Sequence, residues 1–158
     1  MTSPLVSESI SSLLSWPVGN LMNNDAIILE ADETLDEAIK RMKERNLRSV
    51  LASHLGEVVG MVSKTDILYK VTSEGKNPSK IKLREIMTSP VLAVNPQNTI
   101  RDALTIMNKR NVRQLMVHAY SDVVGIISRE DISRKMEAIA LSSIDEVLHG
   151  TPVCIIDT

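Results

Sequence analysis

Phenylalanine is absent from this chain, and aromatic residues amount to Trp16, Tyr69 and Tyr120, 2% of the total. A core must then be built from Ile, Leu, Val, Met and Ala. Functions that need stacked rings, such as single-strand nucleic-acid channels or methyl-lysine cages, lack their material. The single cysteine, Cys154, excludes an internal disulfide and a cysteine-rich zinc site. Neither sign of charge dominates. The chain has 18 Lys and Arg against 20 Asp and Glu, a net charge of −2, so the basic footprint of a nucleic-acid binder is missing from the totals. No apolar run approaches the roughly 18 residues of a membrane span. The stretch 1–16 lacks the basic start and long apolar run of a secretory signal, and a reducing cytoplasm is the expected location. There is no Walker loop or Rossmann glycine run, so nucleotide hydrolysis has no candidate machinery. His54, His118 and His149 do not stand at metal-ligand spacing. Neither a catalytic residue nor a resident cofactor or metal is expected.

What the chain does have is an ordinary soluble composition, 43% hydrophobic and 24% charged over 158 residues, and an internal repeat. At an offset of 65 residues the sequence matches itself without a gap, from about 18–68 onto 83–133. Met22 falls on Met87, Thr34 on Thr99, Ala38 on Ala103, Met42 on Met107, Arg48 on Arg113, Gly60 on Gly125, Ser63 on Ser128 and Asp66 on Asp131.

Each repeat reads as strand, helix, strand, strand, helix. The apolar runs 26–29 and 91–94 have the character of short buried strands. Leu35, Ala38, Ile39 and Met42, with Ile100, Ala103, Leu104 and Met107, place an apolar face on each first helix. Thr34 with Glu37, and Thr99 with Asp102, have the form of capping boxes. Two strands joined by short polar links follow, at 48–53 and 57–63, then at 113–118 and 122–128. Second helices are expected at about 64–71 and 129–140. A unit of about 50 residues buries surface poorly alone, so the two are expected to share an aliphatic core about a pseudo-two-fold, in a mixed α/β (α+β) fold packed through its sheets. The expected divisions are an N-terminal helical extension, 1–17, a first repeat, 18–72, a polar linker, 73–82, a second repeat, 83–140, and a tail, 141–158. Leu5, Ile10, Leu13, Leu14 and Trp16 are expected on a docking helix, and Pro152–Ile156 on a terminal strand.

The candidate site residues come in repeated pairs. Asp66 and Asp131 are carboxylates that can accept from both hydroxyls of a ribose, each such bond being worth roughly 1.5–3 kcal/mol before losses. Ser63 and Ser128 stand at helix starts, where free N–H groups favour polar or anionic ligands. Arg48 and Arg113, at strand starts, can fork onto phosphate oxygens. Lys64 and Arg129, beside the serines, add positive charge. Ser63 with Asp66, and Ser128 with Asp131, also have the spacing of helix-capping boxes, so a purely structural role stays open.

The ordered set resembles a tandem pair of cystathionine-β-synthase (CBS) domains, a Bateman module. It comprises Leu21-Met22 and Ile86-Met87, the Thr-led helices, Asn46-Leu47-Arg48 and Asn111-Val112-Arg113, and the duplicated Gly, two apolar residues, Ser, two free positions, Asp at 60–66 and 125–131. The resemblance implies a stand-alone, non-catalytic regulatory module for adenosine ligands: AMP, ADP or ATP, with S-adenosylmethionine and NAD also in the family's range. It also implies a homodimer, and a separate enzyme or transporter as the regulated partner. Neither nucleic acid nor membrane is among the expected partners. By the same carry-over, Ser63 and Asp66 work with Thr88, Pro90 and Val91 of the other repeat, and Ser128 and Asp131 with Asn23, Ala26 and Ile27. Asp25, at the mouth of the second slot, would repel phosphates if it pointed inward, which favours the first. The competing reading is a dimerisation or docking module whose slots are vestigial.

Overall fold

A computed structural model describes residues 10–147. Two three-stranded sheets form, one per repeat. In the first, β1 (Ile28–Glu30) runs parallel to β2 (Ser49–His54), and β2 runs antiparallel to β3 (Glu57–Ser63). In the second, β4 (Ala93–Val94), β5 (Gln114–Ala119) and β6 (Asp122–Ser128) repeat that order and those directions. Even the irregularity repeats, falling between Ala52 and Ser53 in one sheet and between Val117 and His118 in the other. The opening strands are shorter than the apolar runs that announce them. The segments 26–27 and 91–92 lie outside the strands, although the carbonyls of Ile27 and Leu92 still accept from the Leu51 and Met116 N–H groups.

The first helix of each repeat, α1 (Leu35–Arg45) and α4 (Ile100–Arg110), lays its apolar stripe on its sheet: Leu35, Ala38 and Met42 are buried, as are Ile100, Ala103 and Met107. The helix starts differ. Thr99 and Asp102 form the expected capping box, with the Asp102 N–H donating to Thr99 Oγ1 at 3.1 Å and the Thr99 N–H to Asp102 Oδ2 at 2.9 Å. Thr34 makes no side-chain cap, and Glu37 turns instead to Arg41 at 3.2 Å. Both helices end on asparagine, Asn46 and Asn111, in the left-handed conformation at φ 53° and 52°. Asparagine tolerates that conformation better than most side chains, so the chain reverses sharply after each helix.

The second helices differ as well. The first repeat's is a single turn, α2 (Lys64–Ile67), widened at once into a π-type turn over Leu68–Thr72. The second repeat's, α5 (Arg129–Val147), runs for 19 residues with no Gly or Pro to stop it, past the expected end at 140.

The packing units cross the repeat boundaries. Residues 10–14 are helical. Leu13 is fully buried, and Leu14, Trp16, Val18, Leu21 and Met22 pack into the core of the second repeat. In exchange, Ile81, Leu83, Ile86 and Met87 pack into the core of the first. These residues come from the end of the expected linker and from the opening of the second repeat, which includes α3 (Leu83–Ile86). Bridges hold each crossing segment in place. Asn23 pairs with Ile126, Pro17 with Thr99, Met61 with Thr88 and Thr34 with Lys82. At the end of a linker of polar composition and just beyond it, Ile81, Leu83 and Ile86 are buried in the first core while Lys82, Arg84 and Glu85 between them stay exposed. Two glycines mark the crossings. A Cβ on Gly60 would overlap the Met87 side chain, and one on Gly125 would stand 2.6 Å from the Asn23 carbonyl oxygen. Leu5, His149, Cys154 and the expected strand Pro152–Ile156 lie outside the described residues.

Candidate ligand slots

The Asn cap places the arginines. After Asn46 and Asn111, Leu47 and Val112 turn inward and Arg48 and Arg113 turn out at the start of a strand. The carbonyls of these arginines accept from the first N–H of the neighbouring helix, Lys64 to Arg48 at 3.0 Å and Arg129 to Arg113 at 2.8 Å. Each arginine is thereby fixed beside the helix that carries the Ser and Asp of its own repeat. Between the two halves, Ser49 Oγ donates to Gln114 Oε1 at 2.6 Å. These positions are equivalent in the repeat, and equivalent residues can touch only beside the pseudo-two-fold axis. This contact therefore marks the axis.

Two cavities flank it, and both are lined by Arg48, Lys64 and Gln114. The first, about 490 Å³, brings together Ser63, Asp66, Thr88, Pro90 and Val91, the five residues assigned to that slot from the sequence, with both candidate phosphate-binding arginines, Arg48 and Arg113. Met61, Leu92 and Val112 complete an apolar wall with Pro90 and Val91, and Arg110 adds a further cation. The second, about 400 Å³, gathers Ser128, Asp131, Asn23 and Ala26 with Arg45, Arg48 and Arg134. Its walls are mostly polar. Both volumes fall within the roughly 300–1,000 Å³ of ordinary small-molecule sites.

Three placements correct the sequence reading. Ile27 lines neither cavity; it is 7% exposed and belongs to the first core, because the residue before β1 faces inward. Asp25 does line the second cavity, but Arg45 Nη1 lies 2.7 Å from its carboxylate, so its charge is answered on the spot. Arg129 lines neither cavity. Its guanidinium donates at 3.5 Å to the Val112 carbonyl, whereas the equivalent Lys64 lines both. Gln114, Ser49, Arg45, Arg110 and Arg134 were not legible as slot residues. Two signals were available: Ser49 against Gln114 is a place where the repeats differ, and Arg45 and Arg110 are an identical repeat pair.

The capping and ribose readings of Ser and Asp prove compatible. Asp66 Oδ2 accepts from the Ser63 N–H at 2.9 Å, and the Asp66 N–H donates to Ser63 Oγ at 3.2 Å. Asp131 Oδ2 and Ser128 repeat the arrangement at 3.2 and 3.1 Å. The cap uses one carboxylate oxygen. The other, Oδ1, remains for something else. In Asp66 it accepts from the Thr88 hydroxyl at 3.3 Å and lies 3.0 Å from the Lys70 ammonium. In Asp131 it has no protein partner among the described residues.

Electrostatically, each cavity carries four cations against two carboxylates. Arg48, Lys64, Arg110 and Arg113 oppose Asp66 and Glu130 in one; Arg45, Arg48, Lys64 and Arg134 oppose Asp25 and Asp131 in the other. A chain of net charge −2 thus concentrates positive charge around its pseudo-two-fold. Glu130 lies 3.4 Å from Arg113 and holds part of that charge in reserve. Among the described residues no three His, Cys, Asp or Glu cluster as a metal site, and no helix is long and apolar enough to cross a membrane.

A duplicated sheet-and-helix unit with exchanged opening segments and paired slots on a pseudo-two-fold defines a tandem two-repeat module. The CBS domain family model matches the chain twice, over residues 18–73 and 83–138. The chain belongs to the CBS-domain family, as a tandem pair. An uncharacterized protein of Methanopyrus kandleri is 30% identical over 134 residues, covering 84% of this chain and 68% of that one. Among solved structures, the hexameric CBS-CP12 protein from bloom-forming cyanobacteria superposes with a TM-score of 0.72 at 28% identity, covering 83% of this chain and 79% of the other. The CBS domain pair of protein MJ0100, solved with 5′-methylthioadenosine and S-adenosyl-L-methionine, superposes with a TM-score of 0.66 at 25% identity, covering 77% and 96%.

Proposed function

We propose that this CBS pair is a non-catalytic regulatory module that binds an adenosine nucleotide in the cavity between Ser63-Asp66 and Thr88–Leu92. The observation that carries the reading is the composition of that single cavity. Apolar walls, a carboxylate oxygen left over from the helix cap and a cluster of guanidinium groups line about 490 Å³. Each part matches one part of a nucleotide. Met61, Pro90, Val91, Leu92 and Val112 hold the base by aliphatic contact, as a chain without phenylalanine must. Asp66 Oδ1 accepts from the ribose hydroxyls. Arg48, Arg113 and Lys64 take the phosphates, with Arg48 and Lys64 reaching the junction of the two cavities. The second cavity, with Asp131 and four cations but few apolar atoms, suits a second, more polar part of the ligand or a second nucleotide held chiefly by its phosphates. The adenosine ligands bound by the MJ0100 domain pair support the same ligand class.

Regulation follows from where the cavity lies. Its two walls come from different repeats, and each is tied to a crossing segment, so closing on a ligand shifts one repeat against the other. The shift is read by a second copy of the chain or by a separate partner. Leu68, Tyr69, Leu141 and Ile144 are exposed apolar side chains available for that contact.

Calorimetric titration with AMP, ADP, ATP, S-adenosylmethionine and NAD tests the ligand class. Asp66→Ala should weaken the bound ligand by roughly 30- to 150-fold, the loss of hydrogen bonds to a charged acceptor. No heat and no thermal shift with any of the five at millimolar concentration, on folded protein, would refute the reading.

A further inference from the structure

The two slots are equivalent in sequence but not in the state of their carboxylates. Lys70, in the π-type turn after α2, places its ammonium 3.0 Å from Asp66 Oδ1. That oxygen is the one the helix cap leaves over. The same ammonium donates at 2.9 Å to the carbonyl of Ile86, the last residue of α3, just before the wall that carries Thr88. The Asp66 side chain is 15% exposed and that of Lys70 is 45% exposed, so the carboxylate is held and the lysine is free to leave. At the equivalent position of the second repeat, Lys135 does something different. It lies over the Trp16 ring, 5.5 Å from its centroid, and Asp131 Oδ1 stays open. The residue equivalent to Thr88 is Asn23, and its side-chain oxygen accepts from the Asp25 N–H rather than facing Asp131.

We infer that Lys70 is an internal competitor for the first slot: it occupies the oxygen that a ribose needs, and a ligand must displace it to bind there. The role of Lys70 rests on the reading of that cavity as an adenosine slot. Among the described residues the second slot has no such competitor, because Trp16 draws the equivalent lysine away. The displacement also has a structural consequence. The lysine that leaves Asp66 is the one that ties the Ile86 carbonyl, so ligand binding loosens the crossing segment 83–88 at the point where it joins the two repeats. Occupancy of the slot and the hold of one repeat on the other are thus set against each other through a single side chain.

Adenosine, which is uncharged, separates competition from simple attraction of phosphate. The test is calorimetric titration of the full chain with adenosine and with AMP, in an Asp131→Asn background that silences the second slot. Lys70→Met is compared with its parent, and Lys135→Met serves as the control for a general loss of positive charge. Lys70→Met should bind adenosine about three- to fivefold more tightly than the parent, the scale of a partly exposed ion pair. The parent's affinity for this neutral ligand should rise as ionic strength increases from about 0.02 to 0.5 M, because salt screens the pair that must break. That salt dependence should vanish in Lys70→Met and persist in Lys135→Met. Equal adenosine affinity and equal salt dependence in parent and Lys70→Met would overturn the competitor role alone. Weaker adenosine binding by Lys70→Met would overturn it in favour of a direct ligand contact, and equal tightening by Lys135→Met in favour of a general charge effect. Absence of binding by every protein, with folding confirmed, would overturn the adenosine reading and the role of Lys70 with it.

Discussion

Replacing Gly125 by alanine tests how the two repeats are interlocked. The new Cβ would stand 2.6 Å from the Asn23 carbonyl oxygen, with Met22 Sδ at 3.0 Å. An ordinary carbon–oxygen contact needs about 3.3 Å or more, so main chain must move by about 0.7 Å. The atom in the way is itself committed. The Asn23 carbonyl accepts from the Ile126 N–H at 3.0 Å, and the Asn23 N–H donates to the Ile126 carbonyl at 2.8 Å. Overpacking in a closed site costs about 1–3 kcal/mol, and weakening two backbone hydrogen bonds adds about 1 kcal/mol. Gly125→Ala should therefore destabilise the chain by about 2–4 kcal/mol, read as a lower urea midpoint with unchanged slope. Gly60→Ala is the informative contrast. The atoms nearest its Cβ are all in the side chain of Met87: Sδ, Cγ at 2.7 Å and Cβ at 2.9 Å. It should cost less, about 1–2 kcal/mol. Truncating the methionine separates the two in double-mutant cycles. Met87→Ala removes Sδ and Cγ but keeps the Cβ at 2.9 Å, so it should relieve part of the Gly60→Ala penalty, while Met22→Ala should leave the Gly125→Ala penalty almost intact, because the obstacle there is backbone. Equal relief in both pairs, or a neutral Gly125→Ala, would refute the exchange of opening segments described above.

Further outcomes can be checked with the same protein. Arg48 lines both cavities, so Arg48→Met should weaken AMP or ADP by about 10- to 150-fold while changing adenosine affinity little, as loss of charge-assisted bonds to phosphate requires. Asp102 has its pKa lowered by the Thr99 N–H, then by the Thr99 hydroxyl and Asn98, and Asp32 by its hydrogen bond to Arg84. A carboxylate depressed in the folded state stabilises above its unfolded value near 3.9 and loses that contribution as pH falls through the folded value. Asp102→Asn and Asp32→Asn should each flatten the acid limb of a stability profile below about pH 4 and leave its shape above pH 6 unchanged. An unaltered acid limb would count against these contacts in solution.

The sequence by itself determined the repeat and much of the slots, because both are local. Apolar spacing at 35–42 and 100–107 fixed the first helices, and a duplicated Gly-to-Asp run placed Ser and Asp at the starts of the second. Bringing Ser63 and Asp66 together with Thr88, Pro90 and Val91 then needed only one decision, that the walls of a slot come from different repeats, and the family resemblance supplied it. What the tertiary structure decided are matters of contact across the pseudo-two-fold. Residues 81–86 look like linker and the start of a new repeat, yet they close the first core; composition cannot say which sheet edge an apolar side chain will cover. Ile27 was indistinguishable from Ala26 in sequence, but one faces the core and the other the cavity. Asp25 was a bare charge until Arg45, 20 residues on, came within 2.7 Å. The least legible feature was the divergence of Lys70 and Lys135. They are the same residue at the same repeat position, and they differ because only one has a tryptophan from a distant segment within reach. A repeat in sequence makes two sites with the same residues; the segments packed around them make the sites unequal.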